Sequence, residues 1–230
     1  MARRRSYGSY NDGCAAAHAL DLVGDRWSMI VVRELLLGAK RFSDLQRDLV
    51  GIGPAVLTGR LQDLEASGVL HRRQLTTPGR PHVYELTDWG YGLEAVNTAL
   101  SLWAADSPTL PRDADMSPDT VVLAMRAHAR PADGCDPEQL VALTLTDSRR
   151  RDVEPVSYLA RVSARGTSIR RSPELPRVDA EVSATTRDWK ACVIGGASLE
   201  QLPRVRVTGS HDAVRRLVDA TSLHGPDPHP

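Results

Sequence analysis

The stretch "GIGPAVLTGRLQDLEASGVLHRRQLTTPGRPHVYELT", residues 51–87, joins a helix signal to a hairpin signal. Pro54 suits the first turn of a helix, and Gly68 suits its end. Apolar residues spaced four and three apart give this helix one inward face: Leu57, Leu61 and Leu64. After Gly68 the chain alternates as a strand, turns at "TTPGRP" and returns as "HVYELT". We therefore predict a helix followed by a two-stranded antiparallel hairpin.

Upstream, the sequence predicts three further helices, and one more follows the hairpin. "CAAAHALDLVG" and "DRWSMIVVRELLLG" end at Gly24 and Gly38, and "RFSDLQRDL" is a short helix with Ser43 as its N-cap. "DWGYGLEAVNTALSLWA" is predicted as a single helix, capped by Thr87 or Asp88. Helices, a tight turn and a two-stranded ribbon in this order make a winged helix-turn-helix.

The hairpin is cationic although the chain is neutral, with Lys+Arg 29 against Asp+Glu 29. Five basic or imidazole side chains precede its first acid, Glu85: His71, Arg72, Arg73, Arg80 and His82. An arginine-bearing hairpin can be a solvated sheet edge that resists aggregation. Beside a helix-turn-helix, it fits a wing that binds DNA, with Arg80 at the tip aimed at a minor groove.

A helix of this kind fits the major groove, where its outward side chains reach base edges. Arg60 is expected on a flank, near a phosphate, and Arg41 near a helix N-terminus. The predicted DNA-binding residues are Arg41, Ser43, Pro54, Ala55, Thr58, Gly59, Arg60, Gln62, Arg72, Arg73 and Arg80.

Composition limits the other classes of function. Hydrophobic content of 41% and charged content of 25% over 230 residues are ordinary for a globular protein. No apolar run reaches the length of a membrane span, and no signal peptide is recognisable, which predicts a cytoplasmic protein without a membrane partner. No nucleotide loop, nucleophile elbow, metal cluster or catalytic carboxylate pair is found. We expect no enzyme activity, no cofactor and no metal.

The second half has a different pattern. A proline-rich stretch at 105–117 has linker composition. Beyond it a helix, several strands and two late helices predict an α+β domain with one mainly antiparallel sheet and helices on a face. The predicted organisation is a basic arm (1–13), a winged helix domain (14–104), a linker (105–117), a second domain (118–222) and a tail (223–230).

The span 14–104 resembles the HxlR family of bacterial transcription regulators, a branch near the MarR regulators. "CAAAHALDLVGDRWSMIVVRELLLGAKRFSDLQ", "GIGPAVLTGRLQDLEASGVLHR" and "VYELTDWGYGL" carry the resemblance. It implies a homodimer on a palindromic operator in double-stranded DNA, with the first and last helices of the span at the interface. Ala55 and Gly59 depart from the longer polar or basic residues of many relatives. This departure shifts the expected readout toward phosphates, the wing and DNA shape.

Cys14 matches the N-terminal cysteine that some relatives use to sense electrophiles or oxidants. The alternative, which we favour from the sequence, is a small buried apolar residue. Cys135 and Cys192 lie far away along the chain, so no resolving cysteine is near in sequence.

The stretch "VDAEVSATTRDWKACVIGGASLEQLPRVRVTGSHDAVRRLVDA" resembles the sterol carrier protein type two fold. That resemblance implies an apolar cavity for a lipid-like ligand; the alternative is that the same residues fill a solid core. The candidate ligand-binding residues are Trp189, Val193, Ile194, Leu199, Leu202 and Leu217.

These patterns predict an HxlR-type regulator that is modulated by a small apolar effector. Two alternatives stay open: a redox regulator acting through Cys14, and a lipid-binding carrier whose winged helix serves protein interaction.

Overall fold

The computed structural model describes residues 13–76, 79–151 and 153–223. The chain forms two compact units that divide between Asn97 and Thr98. The basic arm predicted over 1–13 lies outside the described residues except for Gly13, and the tail does so beyond Leu223. The predicted fold class, a winged helix-turn-helix followed by an α+β domain, is confirmed.

The first unit follows the predicted order of helices and hairpin. Its elements are α1 (Ala15–Val23), α2 (Ser28–Leu35), α3 (Phe42–Asp48), α4 (Pro54–Ala66), β1 (Leu70–Gln74), β2 (His82–Leu86), α5 (Asp88–Tyr91) and the start of α6 (Leu93–Ala105). The division between the two units falls inside α6.

The inward face predicted for α4 is confirmed. Leu57, Leu61 and Leu64 are buried, and they share the core of the unit with apolar residues of α2 and α3, among them Leu35 and Leu45. Pro54 opens the helix, and Gly68 follows it with a φ of 74°, in the left-handed region that favours glycine. Local spacing therefore determines which side of α4 remains for other contacts.

Strands β1 and β2 pair antiparallel, with Leu70 opposite Leu86 and Gln74 opposite His82. We call this hairpin, residues 70–86, the wing. On its other side, Lys40 forms an isolated bridge to Tyr84 through two backbone hydrogen bonds of 3.1 and 2.8 Å. The loop before α3 is thereby fixed to the wing.

Two local predictions were wrong. Ser43 is not the N-cap of α3, because the helix begins at Phe42 and the Asp44 carboxylate accepts the Arg41 N–H at 3.3 Å. The helix after the wing is not continuous either. Thr87 caps α5 as predicted, but a tight backbone bond from Gly92 N–H to the Trp89 carbonyl ends α5 before α6 begins.

The second unit contains α7 (Pro118–Ala127), β3 (Gln139–Thr146), β4 (Val156–Ser163), β5 (Gly166–Arg171), β6 (Ala180–Thr185), α8 (Thr186–Val193), β7 (Arg206–Gly209) and α9 (His211–Thr221). The five strands lie in the order β5-β4-β3-β6-β7. All neighbours are antiparallel except β3 and β6, which are parallel. Helices α7, α8 and α9 pack on the sheet and on one another.

The interior of the second unit is mainly apolar and includes a buried hydrogen bond between α7 and β4. The hydroxyl of Tyr158, on β4, donates to Asp119 Oδ1 at 2.7 Å, and both residues are buried. Ser117 caps α7, as its sequence predicts, by accepting the Thr120 N–H at 3.1 Å. Among the described residues, no helix is both long and apolar enough to cross a bilayer.

Candidate nucleic-acid interface

Helix α4 presents an uncovered surface opposite its leucine face. Ala55, Thr58 and Gln62 are exposed as predicted, and Gly59 is half-buried between them. Val56 is also exposed, with 46% of its surface accessible, and sequence reasoning missed it. Its place just before Leu57, off the row of inward leucines, was the signal that could have found it.

The polar groups on this surface are few. The Thr58 hydroxyl donates to the Pro54 carbonyl, one turn back, at 2.9 Å. Gln62 is the one side-chain amide on α4, a helix that is described throughout. While the Thr58 hydroxyl donates to its own helix, its oxygen is available to a partner only as an acceptor.

Arg60 does not point freely toward solvent. Its guanidinium bonds Asp25 Oδ2 at 2.6 Å and pairs with Asp63 Oδ2 at 3.0 Å. Asp25 also accepts the N–H groups of Trp27 and Ser28 at the start of α2. Burial acts to raise the pKa of Asp25, but the hydrogen bonds from Ser28, Trp27 and Arg60 lower it overall. The structure thus places Arg60 between two helices, whereas the sequence suggested a phosphate.

The three predicted arginines of the wing differ in their surroundings. Arg73 pairs with Glu85 across the strands, and this hydrogen bond lowers the pKa of the Glu85 carboxyl. Arg72 and Arg80 are exposed and make no ion pair with any described side chain. Arg80 has a φ of 42° at the tip, and its carbonyl accepts the Gln74 amide at 3.0 Å. The cationic character of the wing therefore resides in Arg72 and Arg80.

Arg41 and Ser43 lie at the start of α3, and both are exposed. Arg41 immediately precedes the helix, so the residue lies at the helix end where the first N–H groups have no partner within the helix. Asp44 occupies part of this helix end through its bond to the Arg41 N–H. Of Arg41 and Ser43, Arg41 has the exposure and the positive charge that a phosphate contact requires.

A buried ionic cluster lies under these elements, and sequence reasoning did not find it. Lys40 Nζ bonds Glu34 Oε2 of α2 at 2.8 Å and Asp48 Oδ2 of α3 at 3.1 Å, and Glu34 and Lys40 are almost fully buried. Burial acts to raise the pKa of Asp48, but Lys40 and Arg47 together lower it. Since Lys40 also bridges to Tyr84, one residue connects α2, α3 and the wing.

Cys14 is exposed, so our preference for a small buried residue was wrong. It is the N-cap residue of α1, and hydrogen bonds from the N–H groups of Ala17 and Ala16 lower its pKa. Cys192 contrasts with it, because burial raises the pKa of that thiol to about 11. The structure thus distinguishes an exposed thiol whose pKa is lowered from a buried thiol whose pKa is raised.

The six candidate ligand-binding residues of the second unit do not share one environment. Trp189, Val193 and Leu217 are buried, and the Trp189 indole donates to Met125 Sδ at 3.3 Å. The other three are half-exposed after α8: Ile194, Leu199 and Leu202. An open pocket of about 240 Å³ lies elsewhere in the unit, beside Cys135 and Arg165. Whether an apolar ligand binds the second unit stays a prediction.

In the first unit, a winged helix-turn-helix presents the outer face of α4 together with a cationic wing, as in DNA-binding transcriptional regulators. Residues 22–109 match the HxlR-like helix-turn-helix family. HTH-type transcriptional regulator YodB of Bacillus subtilis is 31% identical over 86 residues, which cover 77% of that protein. YvaP, described as an uncharacterized HTH-type transcriptional regulator of the same species, is 37% identical over 89 residues and covered to 82%. This chain belongs to the HxlR-like helix-turn-helix family, and the resemblance found in the sequence is confirmed.

An uncharacterized HTH-type transcriptional regulator of Mycobacterium tuberculosis is 36% identical over 92 residues. The match covers 40% of this chain and 58% of the length of that relative. Among solved structures, reduced YodB from B. subtilis is 28% identical, with 43% of this chain and 97% of that chain covered and a TM-score of 0.39. The redox regulator HypR in its oxidized form is 29% identical, with 42% and 100% covered and a TM-score of 0.40. The resemblance of the second half to sterol carrier proteins stays a prediction.

Proposed function

We propose that this regulator binds a palindromic operator as a homodimer, with α4 in the major groove and the wing against the flanking minor groove. The observation that carries the proposal is the pairing of an uncovered α4 face with exposed cations at both flanks. Arg72 and Arg80 lie on the wing that follows α4, and Arg41 precedes α3. Arginines at such positions neutralise phosphates and orient the helix, while the α4 face contacts bases.

The apolar surface of α6 supports the dimer. None of the 13 residues of α6 is buried, although the helix is largely apolar. Its most exposed large side chains are Val96, Leu100, Leu102 and Trp103, and Trp103 is 80% accessible. On α1, Leu20 is 68% accessible. Exposed apolar surface of this extent marks an association site, and a second copy that covers it creates the two-fold symmetry a palindrome requires.

Selection of duplexes from a random pool, followed by fluorescence anisotropy at two salt concentrations, tests the DNA-binding proposal. We expect an enriched inverted repeat with half-site centres about one helical turn, roughly 34–36 Å, apart. Its affinity should fall steeply with salt, because phosphate contacts release counterions. Absence of any enriched sequence would favour the alternative of a lipid-binding carrier whose winged helix serves protein interaction.

Sedimentation of the Trp103→Glu variant tests the dimer. The charge should shift the protein to a monomer and weaken operator binding, because each half-site alone gives only part of the contacts. Leu175→Glu is the matched control, since Leu175 is also an exposed apolar residue, 39% accessible, but lies outside α6, between β5 and β6. A Trp103→Glu protein that remains a dimer would contradict an interface at α6.

We propose further that a small apolar effector binds the second unit near the end of α8. The half-exposed Ile194, Leu199 and Leu202 follow the buried Trp189 there. An effector that prefers one state of the protein must change operator affinity, and DNA must change effector affinity by the same factor. Titration with the fluorescent probe anilinonaphthalene sulfonate, with and without operator, measures that factor. Equal probe affinities with and without operator would show that effector binding and operator binding are not coupled.

Redox sensing through Cys14 is the second candidate. The thiol is exposed, and its pKa is lowered by the backbone N–H groups at the start of α1. Thiolates of this kind react with oxidants and electrophiles, whereas the buried Cys192 does not. We expect diamide or a quinone to lower operator affinity of the wild type and to leave Cys14→Ser unaffected. An equal response of the two proteins would exclude Cys14 as the sensor.

A further inference from the structure

The outer surface of α4 is unusual for a DNA-reading helix because its first two turns offer mainly apolar atoms. Pro54, Ala55 and Val56 are exposed, and Gly59 has no side chain. The only hydroxyl there, on Thr58, donates to the Pro54 carbonyl. This surface therefore offers a base mainly apolar contacts and few hydrogen-bond donors.

The contacts of Arg60 remove the usual means of reading guanine. The commonest specific contact to a G·C pair is an arginine or lysine that donates to guanine O6 and N7. Arg60 is the only basic residue of α4, and its guanidinium is engaged by Asp25 at 2.6 Å and Asp63 at 3.0 Å. No cation of α4 is thus left to reach a guanine.

Two of the exposed side chains on α4, those of Val56 and Gln62, suit contacts to A·T pairs. In the major groove a thymine shows its C5-methyl group, which favours an apolar contact, and an adenine shows N6 and N7, which suit a glutamine amide. Val56 and Gln62 lie six residues apart, which is about 9 Å along a helix and about 120° around it, so they lie on opposite flanks of the outer surface. Both side chains are exposed.

Building on the proposed function, we propose that α4 selects A·T pairs, with Val56 against a thymine methyl group and Gln62 on an adenine. Val56 is then the specificity-determining residue of the helix. Its apolar side chain distinguishes thymine from cytosine, since cytosine presents an amino donor and no methyl group at that edge. The wing and Arg41 supply affinity without this discrimination.

The test uses the full-length protein and the best duplex from the random pool. Each thymine of a half-site is replaced in turn by deoxyuridine, which removes the methyl group and keeps the base pair. We expect about fourfold weaker binding at each contacted position, the value of one buried methyl group. Val56→Ala should abolish this deoxyuridine effect at one position per half-site and leave the other positions unchanged.

Val50→Ala is the matched control, because Val50 is exposed, 70% accessible, and lies between α3 and α4 outside the reading helix. It should keep the full deoxyuridine effect. Binding that is insensitive to deoxyuridine would overturn the inference while leaving the proposed function intact, and so would an effect that survives unchanged in Val56→Ala. Failure to enrich any duplex would overturn both.

Discussion

Arg60 of α4 bonds Asp25 ahead of α2 at 2.6 Å, across 35 residues of sequence. Asp25 simultaneously accepts the first N–H groups of α2, so the pair fixes the reading helix to the start of its neighbour. The same carboxylate that caps one helix therefore holds the one basic side chain of the other. Arg60 therefore connects α4 to the segment ahead of α2, and we expect the phosphate contacts to come from the exposed arginines Arg41, Arg72 and Arg80.

The first prediction distinguishes these two roles by salt dependence. Arg80→Ala should lower the slope of log affinity against log salt by about 0.9, the value for one phosphate, without changing stability. Arg60→Met should leave that slope unchanged and cost at most about 1 kcal/mol of unfolding free energy, because the pair is partly exposed to solvent. Anisotropy at several salt concentrations and urea unfolding measure both. A slope reduced by Arg60→Met would place Arg60 on a phosphate instead.

The second prediction concerns the buried cluster of Glu34, Lys40 and Asp48. Lys40→Met should destabilise the first unit by about 3 kcal/mol, because it removes the more deeply buried of the two cations that pair with the Glu34 carboxylate and leaves only Arg33 at 2.9 Å. The double variant Lys40→Met/Glu34→Gln should recover much of that loss, since the fully buried carboxylate is removed together with Lys40, while Arg33 is partly exposed and Asp48 keeps Arg47. Urea unfolding of the wild type, both single variants and the double variant measures the coupling. Additive losses would show that the two side chains act independently.

The third prediction is an acid sensitivity with a defined sign. The pKa of Asp48 is lowered in the folded protein by its ion pairs with Lys40 and Arg47. These ion pairs therefore contribute stability that is fully present above the unfolded pKa of about 3.9. That stability is lost as the pH falls below about 4, toward the folded pKa. Asp48→Asn should therefore flatten the dependence of unfolding free energy on pH in this window. Parallel acid profiles of the wild type and the variant would contradict the assignment.

The fourth prediction concerns residues 106–117, the part of the predicted linker (105–117) that follows α6. Arg187 of α8 bonds both carboxylate oxygens of Asp115 at 3.0 and 2.6 Å, and Lys190 Nζ bonds the Ala114 carbonyl at 2.6 Å. We expect Arg187→Ala to accelerate amide hydrogen exchange in this segment by up to about fivefold, as loss of an exposed ion pair allows.

Arg215→Ala is its control, because Arg215 also makes an exposed ion pair, with Asp212 on α9, that does not involve the segment 106–117. It should leave exchange in 106–117 unchanged. If the two variants exchange alike, the segment is held by its backbone and not by α8.

Much of the fold followed from local patterns. The spacing of Leu57, Leu61 and Leu64 gave the inner face of α4, and the alternation around the Pro-Gly turn gave the wing. Caps at Thr87 and Ser117 were readable because a capping side chain acts on N–H groups within three residues. The order of elements in the second half was likewise readable, since strands and helices differ in the period of their apolar residues.

The sequence by itself determined the winged helix-turn-helix, the family and the inward leucine face of α4, because periodicity and caps depend on near neighbours. Only the tertiary structure decided which charges are free. Arg60 and Lys40 are occupied by carboxylates, whereas Arg72 and Arg80 are exposed and paired with none that the structure describes. The exposure of Cys14 was decided in the same way. An ion pair forms wherever packing brings opposite charges within about 4 Å, and the spacing of residues along a sequence does not contain that distance.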